Sequence, residues 1–161
     1  MSKTLSQPLK RHGGKSYLAK KIISLMPLRC KNSNAPDQDD DGWCHYCEPY
    51  FGGGAVLFAQ DPEGIGEVVN DLDCTLMHFW SVLLDEFLFY EFRRRVEAVP
   101  CSQLYFDEAL KRLNSCVGFN NPWWQRAVDF FVVNRQSRQA LGKEFTTLAR
   151  TITRRGMNEL P

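Results

Sequence analysis

Three consecutive glycines, Gly52-Gly53-Gly54, constrain this 161-residue chain more than any other feature. A strand-like run, His45 to Tyr50, leads into them, and a segment of helix-like composition, Ala55 to Gln60, leads out. Glycine lets the backbone take left-handed angles and lets a ligand approach where a Cβ would collide. After the turn Asp61-Pro62-Glu63-Gly64 comes a second short run, Glu67 to Asn70, which ends in Asp71. Strand, glycine turn, helix, strand and acid, with the acid about twenty residues past the glycines, is the order of a nucleoside-binding α/β sheet. In such a sheet the acidic side chain holds ribose hydroxyls. The spacing is not Gly-x-Gly-x-x-Gly, which disfavours a dinucleotide. Taken alone, the turn is also open to a loop with no ligand.

Other elements follow from periodicity and punctuation. Residues 1–9 read as a mobile arm. Ser16 is placed to cap a helix through Met26, with Leu18, Ile22, Ile23 and Met26 on one face and Pro27 ending it. Residues 28–43 read as a polar loop. A long helix is expected from about Thr75 to Val96, anchored by Leu76, Phe79, Trp80, Leu83, Leu84 and Phe87, with Pro100 breaking the pattern. Ser102 starts another, to about Leu113, and Pro122 precedes a third through Trp123, Ala127, Phe130, Phe131 and Val133. The tail, Gln136 to Pro161, is polar, basic and weakly periodic.

Composition narrows the class. Hydrophobic residues make up 43%, enough for a core at this length. No apolar run approaches the ~20 residues of a membrane span, and Met1 to Lys10 lacks the apolar stretch of a signal peptide. A cytoplasmic protein is expected, so the six cysteines are not read as a disulfide framework. Cys44-His45-Tyr46-Cys47 has a Cys-x-x-Cys spacing, but no second such pair exists; small buried side chains are favoured over a metal site. The net charge of +1 hides two basic ends. Met1 to Lys21 holds six Lys/Arg and no acid; Arg135 to Arg155 holds Arg135, Arg138, Lys143, Arg150, Arg154 and Arg155 against Glu144 alone. An acidic spot, Asp37 and Asp39 to Asp41, lies between them. Two basic ends suit a nucleic-acid binder, and equally suit solvated helix faces.

The wider strings carry a resemblance. Glu48-Pro49-Tyr50-Phe51-Gly52-Gly53-Gly54-Ala55 resembles motif I of the AdoMet-dependent, adenine-specific DNA methyltransferases of the Dam-like kind, written E-P-F-x-G-G-G-A. Lys10-Arg11-His12-Gly13-Gly14-Lys15 resembles that family's K-W-x-G-G-K segment, and Val69-Asn70-Asp71-Leu72-Asp73 its N-D-I-N segment. Asn134-Arg135-Gln136-Ser137-Arg138-Gln139-Ala140-Leu141 is similar to the N-R-x-x-x-x-G-L segment of the DNA-contacting region. Four segments in the family's order are far more specific than any one.

The resemblance implies roles position by position. Arg11 and Lys15 would lie by the cofactor, S-adenosyl-L-methionine, with Lys15 at its carboxylate or in the active-site pocket. Gly52, Gly53 and Gly54 would line its methionine part. Glu48 and Pro49 would close the first strand beside it, and Asp71 would bind its ribose. Asn134, Arg135 and Arg138 would face double-stranded DNA. Plainer readings stand beside these: a helix-start lysine for Lys15, a turn cap for Glu48, a solvated basic face for the last three.

Two positions depart from the family pattern: Arg11 stands where Trp is usual, and Ala140 where Gly is frequent. The family's D-P-P-Y motif is a larger departure, since the chain has no Pro-Pro pair; Asn121-Pro122-Trp123-Trp124 lacks the second proline and precedes Asn134. That motif holds the amine of an adenine flipped out of the duplex.

The expected fold is therefore α/β: a partial Rossmann-like AdoMet-dependent methyltransferase sheet with an inserted helical DNA-recognition region. Residues 1–75 would form the AdoMet-binding portion and 76–161 the mainly helical DNA-recognition region, with the catalytic part absent. The expected activity is methyl transfer from AdoMet to the exocyclic amine of adenine in duplex DNA, with this chain truncated and inactive alone, and a second chain able to supply the missing part. The alternatives are a non-catalytic DNA-binding or regulatory module on the same fold, and a nucleotide-binding protein of another class.

Overall fold

The computed structural model describes residues 7–9, 11–30, 42–61, 63–115 and 122–146. Much of the arm at 1–9, the loop at 31–41, and Arg150, Arg154 and Arg155 of the tail lie outside the described residues. The chain divides into two compact units, a sheet unit from residues 1–8 and 13–72 and a helical unit from residues 9–12 and 73–161.

The sheet unit is built on two parallel strands, β1 (His45–Glu48) and β2 (Gly66–Val69), in the register His45 to Gly66 through Glu48 to Val69. β1 stops two residues earlier than its composition suggests. Pro49 has no N–H to donate and opens the turn. Two backbone bonds carry the pairing past the strand ends: Asn70 N–H to the Glu48 carbonyl at 3.0 Å, and Phe51 N–H to the Asn70 carbonyl at 2.9 Å. Parallel strands need a crossover. Among its described residues it holds no α-helix; the expected helix at 55–60 shrinks to a 3-10 turn at Leu57–Ala59. Ahead of the sheet, α1 (Ala19–Ser24) is shorter than expected, and Ser16 does not cap it. Residues 16–18 instead form a turn, closed by the Leu18 N–H on the Lys15 carbonyl at 2.9 Å. Little apolar surface is buried: Ala19, Phe51 and Val56 are, while Val68 of β2 stays 60% exposed.

The helical unit holds α2 (Cys74–Leu84), α3 (Glu86–Ala98), α4 (Gln103–Asn114) and α5 (Trp123–Gln136). The expected single helix over 75–96 is two. Asp85 sits between them with extended backbone, φ −91° and ψ 123°, and its carboxylate accepts the Leu88 N–H at 2.8 Å. An aspartate that satisfies an orphan N–H of a new first turn competes with continuing the old helix. The break turns Leu84 and Phe87 out to 88% and 70% exposure, so neither is a core anchor. Leu76, Phe79 and Trp80 are buried as their spacing requires.

Helix α5 is the hub, packed against α2, α3 and α4. Phe79 stacks on Phe131 with ring centres 6.2 Å apart, and Phe92 meets both edge-on at 5.7 and 5.6 Å. All three are fully buried, each contributing about 1.5–3 kcal/mol of hydrophobic stabilisation. A polar lock joins α4 to α5: Arg112 donates through Nε and Nη2 to the two oxygens of buried Asp129, at 2.9 and 2.8 Å. Gln125 Nε2 adds a third bond at 3.0 Å, so the buried carboxylate is well supplied with donors. Its hydrogen bonding keeps the Arg112 guanidinium protonated more firmly still.

Candidate functional site

The glycine turn and the acid after β2 are joined directly. Gly52 N–H donates to Oδ2 of Asp71 at 2.9 Å. Each lies just past the C-terminal end of its strand, on the side where parallel sheets bind ligands. Gly52 has φ +55°, and a Cβ there would meet nothing within 4 Å. Its need for glycine is conformational, and the space above it is open. Gly54 differs. It has φ +73°, and a Cβ would fall 2.6 Å from Cε2 of Phe58 and 2.8 Å from Cζ of Phe51. The collision that its sequence context suggests with a ligand is, at Gly54, a collision with the protein's own rings. Gly53 between them is buried.

Strand geometry brings a second group to the same region. Side chains two apart on a strand share a face. Tyr46 and Glu48 are half-buried on one face of β1, while His45 and Cys47 are exposed on the other. The Tyr46 hydroxyl donates to Oε2 of Glu48 at 2.9 Å. Burial pushes the Glu48 carboxyl above its ordinary range, against the hydrogen bond from Tyr46 and the charge of Lys15, which both pull it down. Burial, then the bond to Glu48 and its charge, raise Tyr46 well above the usual phenol range. Lys15 itself is exposed. The role of Tyr46 escaped the sequence reading, although the period-two spacing from Glu48 was available to find it.

Arg11 has a partner that the sequence does not announce. Its Nη2 donates to Oδ2 of Asp73 at 2.7 Å, and its Nη1 lies buried with no hydrogen-bond partner. Asp73 also caps α2, its Oδ1 accepting the N–H groups of Thr75 and Leu76 at 3.0 and 3.2 Å. Burial alone would raise Asp73, but the bonds from Arg11 and from these backbone groups outweigh it and lower its pKa. Cys44 is partly exposed and Cys47 is exposed, so neither is the small buried side chain expected of it. Among the described residues no three His, Cys, Asp or Glu side chains are grouped to hold a metal.

The segment after α5 is less uniform than its basic composition suggests. Arg138 is exposed and lies 3.8 Å from Glu144, also exposed. Arg135 is half-buried, its guanidinium 5.8 Å from the Phe131 ring centre, and burial lowers its pKa. Asn134 is 7% exposed, with Oδ1 buried and unpartnered. Gln139 and Ala140 take left-handed angles, φ 55° and 56°, an uncommon state for side-chain-bearing residues. Among the described residues no helix is long and apolar enough to cross a membrane.

A family model described as D12 class N6 adenine-specific DNA methyltransferase matches residues 12–141, most of the chain. No curated protein and no solved structure gives a match.

Proposed function

Since the chain belongs to the D12 class of N6 adenine-specific DNA methyltransferases, we propose that its sheet unit binds S-adenosyl-L-methionine and its helical unit faces duplex DNA. The observation that carries the cofactor half is the bond from Gly52 N–H to Asp71 Oδ2, which fixes the acid at the mouth of the glycine turn. A carboxylate has room for several donors, so Asp71 can hold the turn and accept from ribose hydroxyls as well. The residues suit the group in two further respects. Open space above Gly52 lets a ligand approach the backbone. Lys15 and Glu48 supply opposite charges, Lys15 for the carboxylate of an amino acid and Glu48 for its ammonium. Pro49 ends β1, and Gly53 and Gly54 shape the turn. Arg11, proposed beside the cofactor, is engaged by Asp73 through Nη2. The β1–β2 pair is then the start of a Rossmann-like sheet, with the cofactor portion over residues 1–75 and the DNA-facing region over 76–161.

When bound, the cofactor supplies an electrophilic methyl group on a sulfonium. The sheet-unit residues named above bind and orient it. Among the described residues none is assigned the grip on the adenine amine. We assign that grip to a segment with Asp-Pro-Pro-Tyr or a close variant, supplied by a second chain. On the helical unit, exposed Arg138 is suited to a DNA phosphate, where arginine positions the duplex without reading its sequence. Arg135, half-buried against the Phe131 ring, and buried Asn134 belong to the same DNA-facing segment in this reading.

Calorimetric titration of AdoMet, with Asp71→Ala as the control, tests the reading. Binding that weakens about tenfold or more in the variant is expected, the size of a lost hydrogen bond to a charged group. A folded chain that does not bind AdoMet would overturn it and favour a non-catalytic DNA-binding module.

A further inference from the structure

Half-burial disfavours the charge of Glu48, and the bond from Tyr46 offsets part of that cost. A carboxylate in half-buried surroundings is disfavoured unless donors compensate, and burial remains the largest influence on Glu48. The phenol is held firmly. Its ring lies 6.3 Å from that of Trp43, whose Nε1 is fixed on the Pro27 carbonyl at 2.8 Å. The hydroxyl therefore approaches Oε2 from a set direction, at 2.9 Å. Among the described residues no donor reaches Oε1. Glu48 is thus presented with one oxygen occupied and the other available. The groups acting on it are Tyr46 from its own strand and Lys15 from the segment before α1.

We propose that Tyr46 is a positioning residue that holds Glu48 as an oriented acceptor for the ammonium group of the cofactor's amino-acid part. This rests on the reading of the sheet unit as an AdoMet site. It makes recognition of that zwitterion a two-charge device, with Lys15 on the carboxylate and the Tyr46–Glu48 pair on the ammonium.

The test is calorimetric titration of AdoMet and of 5′-methylthioadenosine, which lacks the amino-acid part, into the wild type, Tyr46→Phe and Glu48→Gln. Measurements run from about pH 5 to 7, where the α-ammonium stays protonated. Tyr46→Phe should weaken AdoMet about five- to tenfold near pH 7, the size of one hydrogen bond. The deficit should widen as pH falls, because the bond that lowers Glu48 is gone and its protonation midpoint moves up. Glu48→Gln should bind AdoMet weakly with a flattened pH profile. Methylthioadenosine should bind all three proteins alike. Equal AdoMet affinity for wild type and Tyr46→Phe at every pH would overturn the proposal. So would a loss shared equally by methylthioadenosine, which marks a merely structural role. Failure of the wild type to bind either ligand would overturn the underlying reading and this proposal with it.

Discussion

The two units divide stability and chemistry between them. Among the described residues the helical unit buries fourteen apolar side chains, including Phe79, Phe92, Phe106 and Phe131, and the sheet unit buries three. Parallel strands ordinarily lie covered on both faces, yet every residue of β1 and β2 is at least partly exposed. The sheet unit keeps its shape with directed bonds instead: Gly52 to Asp71, Tyr46 to Glu48, Arg29 Nη1 to the Asp61 carbonyl at 2.8 Å. The helical unit rests on an apolar core, whereas the sheet unit rests on directed polar bonds. The contrast teaches that the hydrophobic pattern and the functional pattern of this chain occupy different stretches of sequence.

The contrast breaks most easily at Phe131. Phe131→Ala opens a cavity between Phe79 and Phe92 and should cost about 3–5 kcal/mol in urea unfolding. A loss under 1 kcal/mol would mean that α5 is not the hub of the core. Asp73→Ala removes a double N-cap and the partner of Arg11, at about 1–2 kcal/mol together. Its pH dependence sharpens the point. Asp73 has a lowered pKa, so its contribution is present above the unfolded value of about 3.9 and is lost as pH falls through the folded value. Wild type and variant should therefore melt apart at neutral pH and converge in acid; a gap constant with pH would contradict the assignment.

Ala140→Gly relieves a left-handed φ of 56° and should stabilise by about 0.5–1 kcal/mol in thermal melts. Destabilisation would show that the Cβ makes a contact worth more than the strain. The smallest effect is on DNA affinity: Arg138→Ala should weaken duplex binding modestly and reduce the salt slope by about one. An unchanged slope would remove Arg138 from the proposed DNA face.

Legibility in the sequence followed the range of the interactions involved. The glycine turn and both strands could be read because turn chemistry is local, and the positive φ of Gly52 and Gly54 matches that reading. The break at Asp85 could not, because an apolar period runs on through Leu83, Leu84 and Phe87, and one aspartate does not interrupt it by pattern alone. Its signal was a capping residue three positions before Leu88, the donor it satisfies. The Arg11–Asp73 pair spans 62 positions, and nothing local announces it. Burial of Asn134 was hidden for the same reason. Its neighbours Arg135 and Arg138 made the segment read as a surface, while α5 turns it inward.

Amide hydrogen exchange with and without AdoMet tests the division of labour most directly. The account predicts slow exchange in α2, α3 and α5 regardless of ligand, and faster exchange at Phe51 to Gly54 that slows when AdoMet is added. Ligand-dependent protection in the helices, with the glycine turn unaffected, would contradict it.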